Sequence, residues 1–314
     1  MRDDIYRRLK EADGFVSGGA LGEAYGVTRA ALWKHIKAMQ EDGAGIESVT
    51  GKGYRLITPP KIPRAGYVRA HTRRDIPVFY EDSVTSTNDV AKSAARDTDL
   101  QRAVFIAGEQ TAGKGRKGRV WASKPGQGVY MTFLVRPKTD PEKISGFTLA
   151  AAVAVCRAVE AVSEARPLIK WPNDVIVDGR KAAGILTESM VNMDGVEFVV
   201  CGIGINTDAS LFEEGIRGTA FALAANNTLL AAAVIDSFMD AYDTFAADGL
   251  KPFMDVFRSR SAISGMVTVT GTGGSETGEL IGYDDEGAIL ISCGGRTRRF
   301  VAGEVSLRGE NGYV

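Results

Sequence analysis

Residues 113–119 read GKGRKGR, which sets four cations and three glycines in seven positions. The reading of this loop decides the fold, because three nucleotide-binding architectures compete for it. From Gly108, GEQTAGK satisfies the GxxxxGK of a Walker A loop; Gly113, Gly115 and Gly118 satisfy the GxGxxG of a dinucleotide fold, and Val120 extends that to a kinase-like GxGxxGxV. Each reading demands a particular neighbourhood. A Walker A lysine is followed by a hydroxyl that holds magnesium, and here Gly115 follows Lys114. A dinucleotide fingerprint opens a helix at its last glycine, whereas RVWASKPGQG is rich in turn residues and carries no amphipathic period. A kinase needs its strand lysine and an H-R-D-type loop, and neither occurs at suitable spacing. What survives is the chemistry of the residues. Glycines let backbone N–H groups approach a ligand, and Lys114, Arg116, Lys117 and Arg119 supply charge for a carboxylate or phosphates. A solvated basic turn is the alternative for the loop taken alone. Like charges and little apolar surface further predict a segment that is loose when empty.

Working outward, 314 residues suggest two or three domains. Lys+Arg 38 against Asp+Glu 39 leaves a net charge of -1, so any polyanion-binding patch is local. Cys156, Cys201 and Cys293 are widely spaced and form no CxxC, which suits buried thiols in a reducing compartment. His35 and His71 lie far from each other and from the cysteines, which argues against zinc. No apolar run reaches spanning length and MRDDIYRRLK lacks the apolar centre of a signal peptide, so a cytoplasmic protein without a membrane segment is expected.

In ALGEAYGVTRAALWKHIKAMQEDG, Gly26 breaks two helices, Thr28 is placed to cap the second, and Leu32, Ile36 and Met39 set its apolar face. Arg29, Lys34 and Lys37 make the outer face cationic. GIESVTGKGYRL reads as two strands around Gly51, Lys52 and Gly53, adding Lys52 and Arg55. Such a helix-turn-helix with a basic wing suits a major groove flanked by phosphates; a solvated face on a small interaction domain is the alternative. TPPKIP, residues 58–63, reads as a linker.

From about 64 to 260, helical and strand patterns alternate. FTLAAAVAVCRAVEAV predicts a buried helix, VEFVVCGIGINT a central strand whose glycines approach a ligand, and TLLAAAVIDSFMDAYDTFAADG a helix closed by Gly249. Ser86, Thr87 and Asn88 sit at a strand-to-helix junction, where they either cap the helix or meet a polar ligand. KWPNDVIVDGRKAAGILTE gathers Lys170, Asn173, Asp174 and Lys181, and Asn and Asp are suitable oxygen ligands for a magnesium-phosphate complex. The last fifty residues are short alternating segments between glycine-rich turns, the signal for a small β-barrel. The expected class is α/β (α+β), divided at 1–63, 64–263 and 264–314.

SGGALGEAYGVTRAALWKHI with GKGYRL, then STN, Gln110 with GKGRKGR, KWPND, GRKAAGIL, GIGIN and GEVSLR resemble, in this order and over essentially the whole chain, the bifunctional biotin protein ligases that are also biotin operon repressors. The resemblance implies a winged helix-turn-helix domain, a catalytic domain related to class II aminoacyl-tRNA synthetases, and an SH3-like C-terminal barrel. It implies that biotin and ATP, with Mg2+, form biotinyl-5′-AMP, and that a lysine of the biotin carrier domain of acetyl-CoA carboxylase then takes the biotinyl group. It also implies operator DNA as a partner, an adenylate-bound homodimer and repression of biotin synthesis genes through Thr28, Arg29, Lys34, Lys37, Lys52 and Arg55. By the same resemblance Ser86, Thr87, Asn88, Gln110, Lys114, Gly115, Arg116, Lys181, Gly184 and Gly204 hold biotin. Arg116, Arg119, Trp121, Lys170, Asn173, Lys181, Asn206, Glu304 and Arg308 serve ATP, and Lys181, Arg116 and Asp174 the chemistry, with Asp174 as the magnesium ligand. The first basic position of the loop, often Arg in that family, is Lys114 here, which keeps the charge and loses the planar fork. A lipoate ligase and a biotin-sensing transcription factor without catalysis are the rival readings.

Overall fold

The structure, a computed structural model, describes residues 1–193, 195–208, 221–271, 274–301 and 306–309. It opens with α1 (Arg2–Glu11), α2 (Gly18–Tyr25) and α3 (Arg29–Glu41), followed by the hairpin β1 (Gly45–Val49) and β2 (Gly53–Thr58). Gly26 ends α2 at φ 63, and Thr28 Oγ1 starts α3 by accepting from the Ala31 N–H at 3.2 Å. Ile5, Leu9, Leu21, Leu32, Ile36, Met39 and Ile46 form the core of this unit.

After the proline linker comes α4 (Ala65–His71), which belongs to two cores at once. Tyr67 is fully buried in the N-terminal cluster, 4.7 Å from the Tyr6 ring, while Val68 is buried in the main core. Arg64 Nε donates to Asp42 at 2.9 Å and its Nη1 to Asp82 at 3.0 Å, so one guanidinium joins the end of α3 to the strand Val78–Val84. A division at residue 63 therefore falls just before a helix that serves both sides. His71 closes this joint at 2.7 Å from the Tyr6 hydroxyl, and burial, with the Lys10 charge adding, pushes its imidazole down to about 4. Because the folded value lies below the unfolded one, this contact stabilises fully above about pH 6.5 and is lost as pH falls toward 4. Thermal melts should show a larger drop in Tm between pH 7 and about pH 4.5 for the wild type than for His71→Gln; equal drops would remove His71 as the cause.

The centre is a mixed sheet of β3 (Val78–Val84), β4 (Arg102–Gln110), β5 (Gly128–Val135), β6 (Leu168–Lys170), β7 (Asp174–Val177), β8 (Arg180–Asn192) and β9 (Gly195–Asn206), in the order β3-β4-β5-β9-β8-β7-β6. Only β3–β4 is parallel. One face is covered by α5 (Thr87–Asp97), against Phe105, Leu134, Phe198 and Val200. The other is covered by α6 (Ile144–Val162) and α7 (Asn227–Asp248), where Phe133 stacks on Phe238 at 3.7 Å. With both faces covered, every residue of β5 is buried. The expectation that no apolar run reaches spanning length needs correction: Pro141–Val162 passes by length and hydropathy. Its apolar surface packs between sheet and α7, as a core helix does.

After α8 (Met254–Ser259), β10 (Met266–Gly271), β11 (Gly274–Tyr283), β12 (Ile289–Cys293), β13 (Arg296–Phe300) and β14 (Ser306–Gly309) form an antiparallel sheet in the order β13-β12-β11-β10-β14. Val267, Val269, Tyr283, Ile289 and Ile291 join the main core. Trp171 Nε1 donates to the Gly287 carbonyl at 2.9 Å, so the KWPND turn is braced from this all-β unit.

Candidate active site

Strand register builds the floor of the site. Thr132 and Leu186 lie opposite Gly202, and Tyr130 and Gly184 lie opposite Gly204, so these residues share the face that α5 partly covers. Beyond the helix end the sheet is open, and its glycines leave room. A Cβ on Gly202 would stand 2.2 Å from Asn88 Oδ1, and one on Gly204 2.4 Å from Trp121 Cε2. Met131, Ile185, Leu186 and Ile203 supply apolar wall.

One end of the pocket is polar. Ser86 occupies the N-cap position of α5 but its side chain makes no capping bond; it lines the pocket instead. The helix start is satisfied from the neighbouring strand, since Gln110 Oε1 accepts from the Thr87 N–H at 2.8 Å and from its hydroxyl at 3.0 Å. Gln110 Nε2 donates to Ser123 Oγ at 2.8 Å. Below them the buried Thr132 hydroxyl lies 2.8 Å from Thr87 Oγ1 and donates to Asn88 Oδ1 at 2.7 Å, while Asn88 Nδ2 donates to Glu188 at 2.7 Å. The amides and hydroxyls thus fix one another's orientation.

The other end is cationic. A bulge at Val175/Ile176 inserts an extra residue into β8, which lets Lys181 turn toward the Gly184 side; its Nζ meets Asp174 Oδ1 at 2.7 Å and lies 5.1 Å from the Trp121 ring. Arg116 Nη1 donates to Asn173 Oδ1 at 3.1 Å. Burial pulls the Arg116 guanidinium below its ordinary value, the Asp174 charge opposes this and Arg119 adds to it; a guanidinium keeps its proton throughout. Trp121 lies over the glycine floor with its Nε1 buried and, among the described residues, without a hydrogen-bond acceptor.

The basic loop is folded on itself and tied to its surroundings. Residues Arg116–Gly118 form a 3-10 turn with Lys117 left-handed at φ 56, closed by Gly115 N–H to Arg119 O at 2.7 Å. Lys114 Nζ is held by Asp89 at 2.6 Å, on the first turn of α5. Charge repulsion inside the loop is answered by partners outside it, which the loop's own sequence does not display.

The structure brings Ser86, Thr87, Asn88, Gln110, Lys114, Gly115, Arg116, Trp121, Asn173, Lys181, Gly184 and Gly204 to one pocket wall. Asp174 stands behind Lys181, and Asn206 Nδ2 approaches the Lys181 carbonyl at 3.5 Å. Lys170 is buried behind the wall and Arg119 is exposed outside it. Arg308 lies on β14, and Glu304 falls outside the described residues. Thr28, Arg29, Lys34, Lys37, Lys52 and Arg55 are all exposed, Arg55 pairing with Glu47 at 2.6 Å. Thr132, Ser123, Glu188 and Asp89 were not singled out by sequence, and Gly202 only as one of the strand glycines of GIGIN; for Thr132 the available signal was a threonine in the apolar run GVYMTFLV.

A resident magnesium ion does not fit this donor set. Asp174 is committed to Lys181, Asn173 is engaged at both amide atoms, and no group of three metal-ligating side chains occurs among the described residues.

Comparison with known proteins agrees with this geometry. The Biotin/lipoate A/B protein ligase family matches residues 80–206, and an HTH domain matches residues 2–55. The chain is 32% identical over 320 residues to the bifunctional ligase/repressor BirA of Bacillus subtilis, covering 98% of each protein. It is 36% identical over 239 residues to the biotin--[acetyl-CoA-carboxylase] ligase of Mycobacterium tuberculosis, covering 70% of this chain and 85% of that one. Among solved structures, the biotin protein ligase from Aquifex aeolicus in complex with biotin and ATP superposes with a TM-score of 0.65 at 25% identity, over 74% of this chain and 99% of that one.

Proposed function

This chain belongs to the biotin protein ligase family, in the form that carries an N-terminal helix-turn-helix repressor domain, and from that premise we propose how its residues activate biotin, transfer it and report on it. The observation that carries the reading is one pocket with fixed amide and hydroxyl groups at one end and Lys181 with Arg116 at the other. Biotin suits it at both ends. Its ureido ring needs donors and acceptors, which Ser86, Thr87, Asn88 and Gln110 offer, and its carboxylate runs along the apolar wall to the cations. A lipoyl dithiolane offers these groups neither a donor nor an acceptor, which favours biotin over lipoate.

Activation brings two anions together. A biotin carboxylate oxygen attacks the α-phosphorus of ATP, the bond to the bridging oxygen breaks, and pyrophosphate leaves. Lys181 and Arg116 stabilise the charge that builds up between them, and no protein nucleophile is required. Magnesium enters on the phosphates of ATP; Asp174 would meet it only by releasing Lys181. In transfer, a neutral lysine amine of the biotin carrier domain attacks the acyl carbon and AMP departs with the bonding electrons. Trp121 and Asn173 serve the nucleotide side, and by the family pattern of GEVSLR we assign Glu304 and Arg308 to ATP as well. We place the protein in the cytoplasm, with the carrier domain of acetyl-CoA carboxylase as acceptor. The exposed cations of α3 and the β1–β2 wing bind operator DNA, and the adenylate favours a homodimer that spans two half-sites.

Incubation with biotin, Mg-ATP and either biotin or lipoate in competition tests the substrate: excess lipoate should leave biotin-dependent pyrophosphate release unchanged, and strong competition would overturn the assignment. We further propose that residues 113–119 are a lid over the pocket in which Arg116 guards the adenylate; Arg116→Gly should loosen it, because the Arg116–Asn173 bond ties the loop to the KWPND turn. Biotinyl-adenylate should then escape and label lysines of a bystander protein added with biotin and ATP; labelling no greater than wild type would sink the guarding role.

A further inference from the structure

We infer that Trp33 is a sequence-reading residue of the DNA interface, contacting a thymine methyl group in the major groove. The inference rests on the DNA-binding reading of α3 given above. Leu32, Ile36 and Met39 turn one face of α3 into the N-terminal core, at 1%, 3% and 0% exposure. On the outside, Arg29, Trp33 and Lys37 follow each other at intervals of four and form one ridge, with Ala30 and Lys34 beside it, all exposed. Trp33 is 55% exposed, whereas Trp121 is partly covered and Trp171 buried. The core of this unit is complete without it.

The surroundings indicate what the indole meets. No acid stands between Thr28 and Gln40, and the Lys37 ammonium lies 5.3 Å from the Trp33 ring centroid. The core of a protein-docking patch is depleted of lysine; this ring has Lys37 over it and Lys34 beside it. Cations on both sides of an aromatic fit a surface that presents phosphates at its edges and something apolar between them. In a DNA major groove the apolar feature is the thymine C5-methyl, which no other base carries. Arg29 and Lys37 then neutralise phosphates on either side, and Trp33 supplies discrimination that neither cation can supply. The wing repeats the pairing of cation with ring, as Arg55 lies 4.8 Å and Lys52 5.9 Å from the Phe15 ring.

The test uses the full-length protein with biotin and Mg-ATP, and duplex DNA that the wild type selects from a random-sequence pool. Each thymine of the selected site is replaced in turn by uracil, which removes one methyl and nothing else. Wild type should lose about fourfold in affinity at one or two positions, the worth of one buried methyl group. Trp33→Ala should bind thymine and uracil sites equally while keeping the wild-type slope of affinity against salt; Trp33→Phe should retain part of the discrimination. Undiminished discrimination in Trp33→Ala would overturn the inference, as would wild-type indifference to uracil everywhere. Failure of the wild type to select any DNA would remove the DNA-binding reading itself, and this role with it.

Discussion

Lys181→Ala is expected to slow pyrophosphate release from biotin and ATP by about a thousandfold, or ~4 kcal/mol of transition-state stabilisation. The side chain stands inside the pocket beside Gly184 and Trp121, at the cationic end where we propose that the carboxylate and α-phosphate meet. Its loss also removes the ammonium that pairs at 2.7 Å with Asp174, a carboxylate only 15% exposed. Some stability should therefore go with it, on the order of 1–3 kcal/mol. The double variant Lys181→Ala with Asp174→Asn separates the two effects: its Tm should recover, and its rate should not. A folded Lys181→Ala protein that releases pyrophosphate at a near-normal rate would contradict the role given to this lysine.

Gly202→Ala is expected to weaken biotin binding by about a hundredfold, through a residue that need not touch biotin at all. The new methyl would lie 2.2 Å from Asn88 Oδ1, and Asn88 cannot retreat cheaply because Thr132 and Glu188 hold both ends of its amide. Displacing it disorders the polar end of the pocket, and losing one or two oriented hydrogen bonds is worth about 2–3 kcal/mol. Calorimetry with biotin alone reads this directly. The ATP side lies elsewhere in the pocket, so KM for ATP at saturating biotin should change less than about threefold. Unaltered biotin affinity in a folded Gly202→Ala protein would show that the close approach of strand and amide is not what the glycine serves.

These two positions also show how much of the site could be read from sequence and why the remainder could not. Lys181, Arg116, Gln110 and the Ser86–Asn88 triplet stand in short motifs whose residue types suit a polar acid and a phosphate, and the fold brings them to one wall. The alternation of apolar segments likewise anticipates the core helix α6, the strand β9 and the all-β C-terminal unit. Thr132 was hidden because its meaning depends on register: it matters only because β5 pairs with β9 so that Thr132 faces Gly202. Asp89 was hidden for a related reason. Its partner Lys114 is 25 residues away, and a loop read by itself looks like a run of mutually repelling charges. Lys181 was recognised as a cation, but the bulge that turns it into the pocket is a property of the β7–β8 pair and not of either segment. The role of α4 in both cores was invisible for the same cause, since Tyr67 and Val68 are adjacent in sequence and diverge only when both neighbours are in place.

Those long-range contacts bear on how the lid works. Lys114 is drawn toward α5 by Asp89, while Arg116 is drawn toward the KWPND turn by Asn173. The loop is thus tied at two points on opposite sides of the pocket, and in the proposed mechanism the anions of the substrates compete with Asp89 for one arm. Arginine at position 114 would form a forked pair with that acid; lysine forms a point contact that costs less to exchange.

The account stands or falls on acyl transfer to the right acceptor. Intact-mass measurement after incubating the full-length protein with biotin, Mg-ATP and the biotin carrier domain of acetyl-CoA carboxylase tests this most directly. The account predicts a gain of one biotinyl group on the carrier, dependent on ATP, accompanied by stoichiometric AMP and pyrophosphate. A carrier that stays unmodified while the folded protein is saturated with both substrates would contradict it.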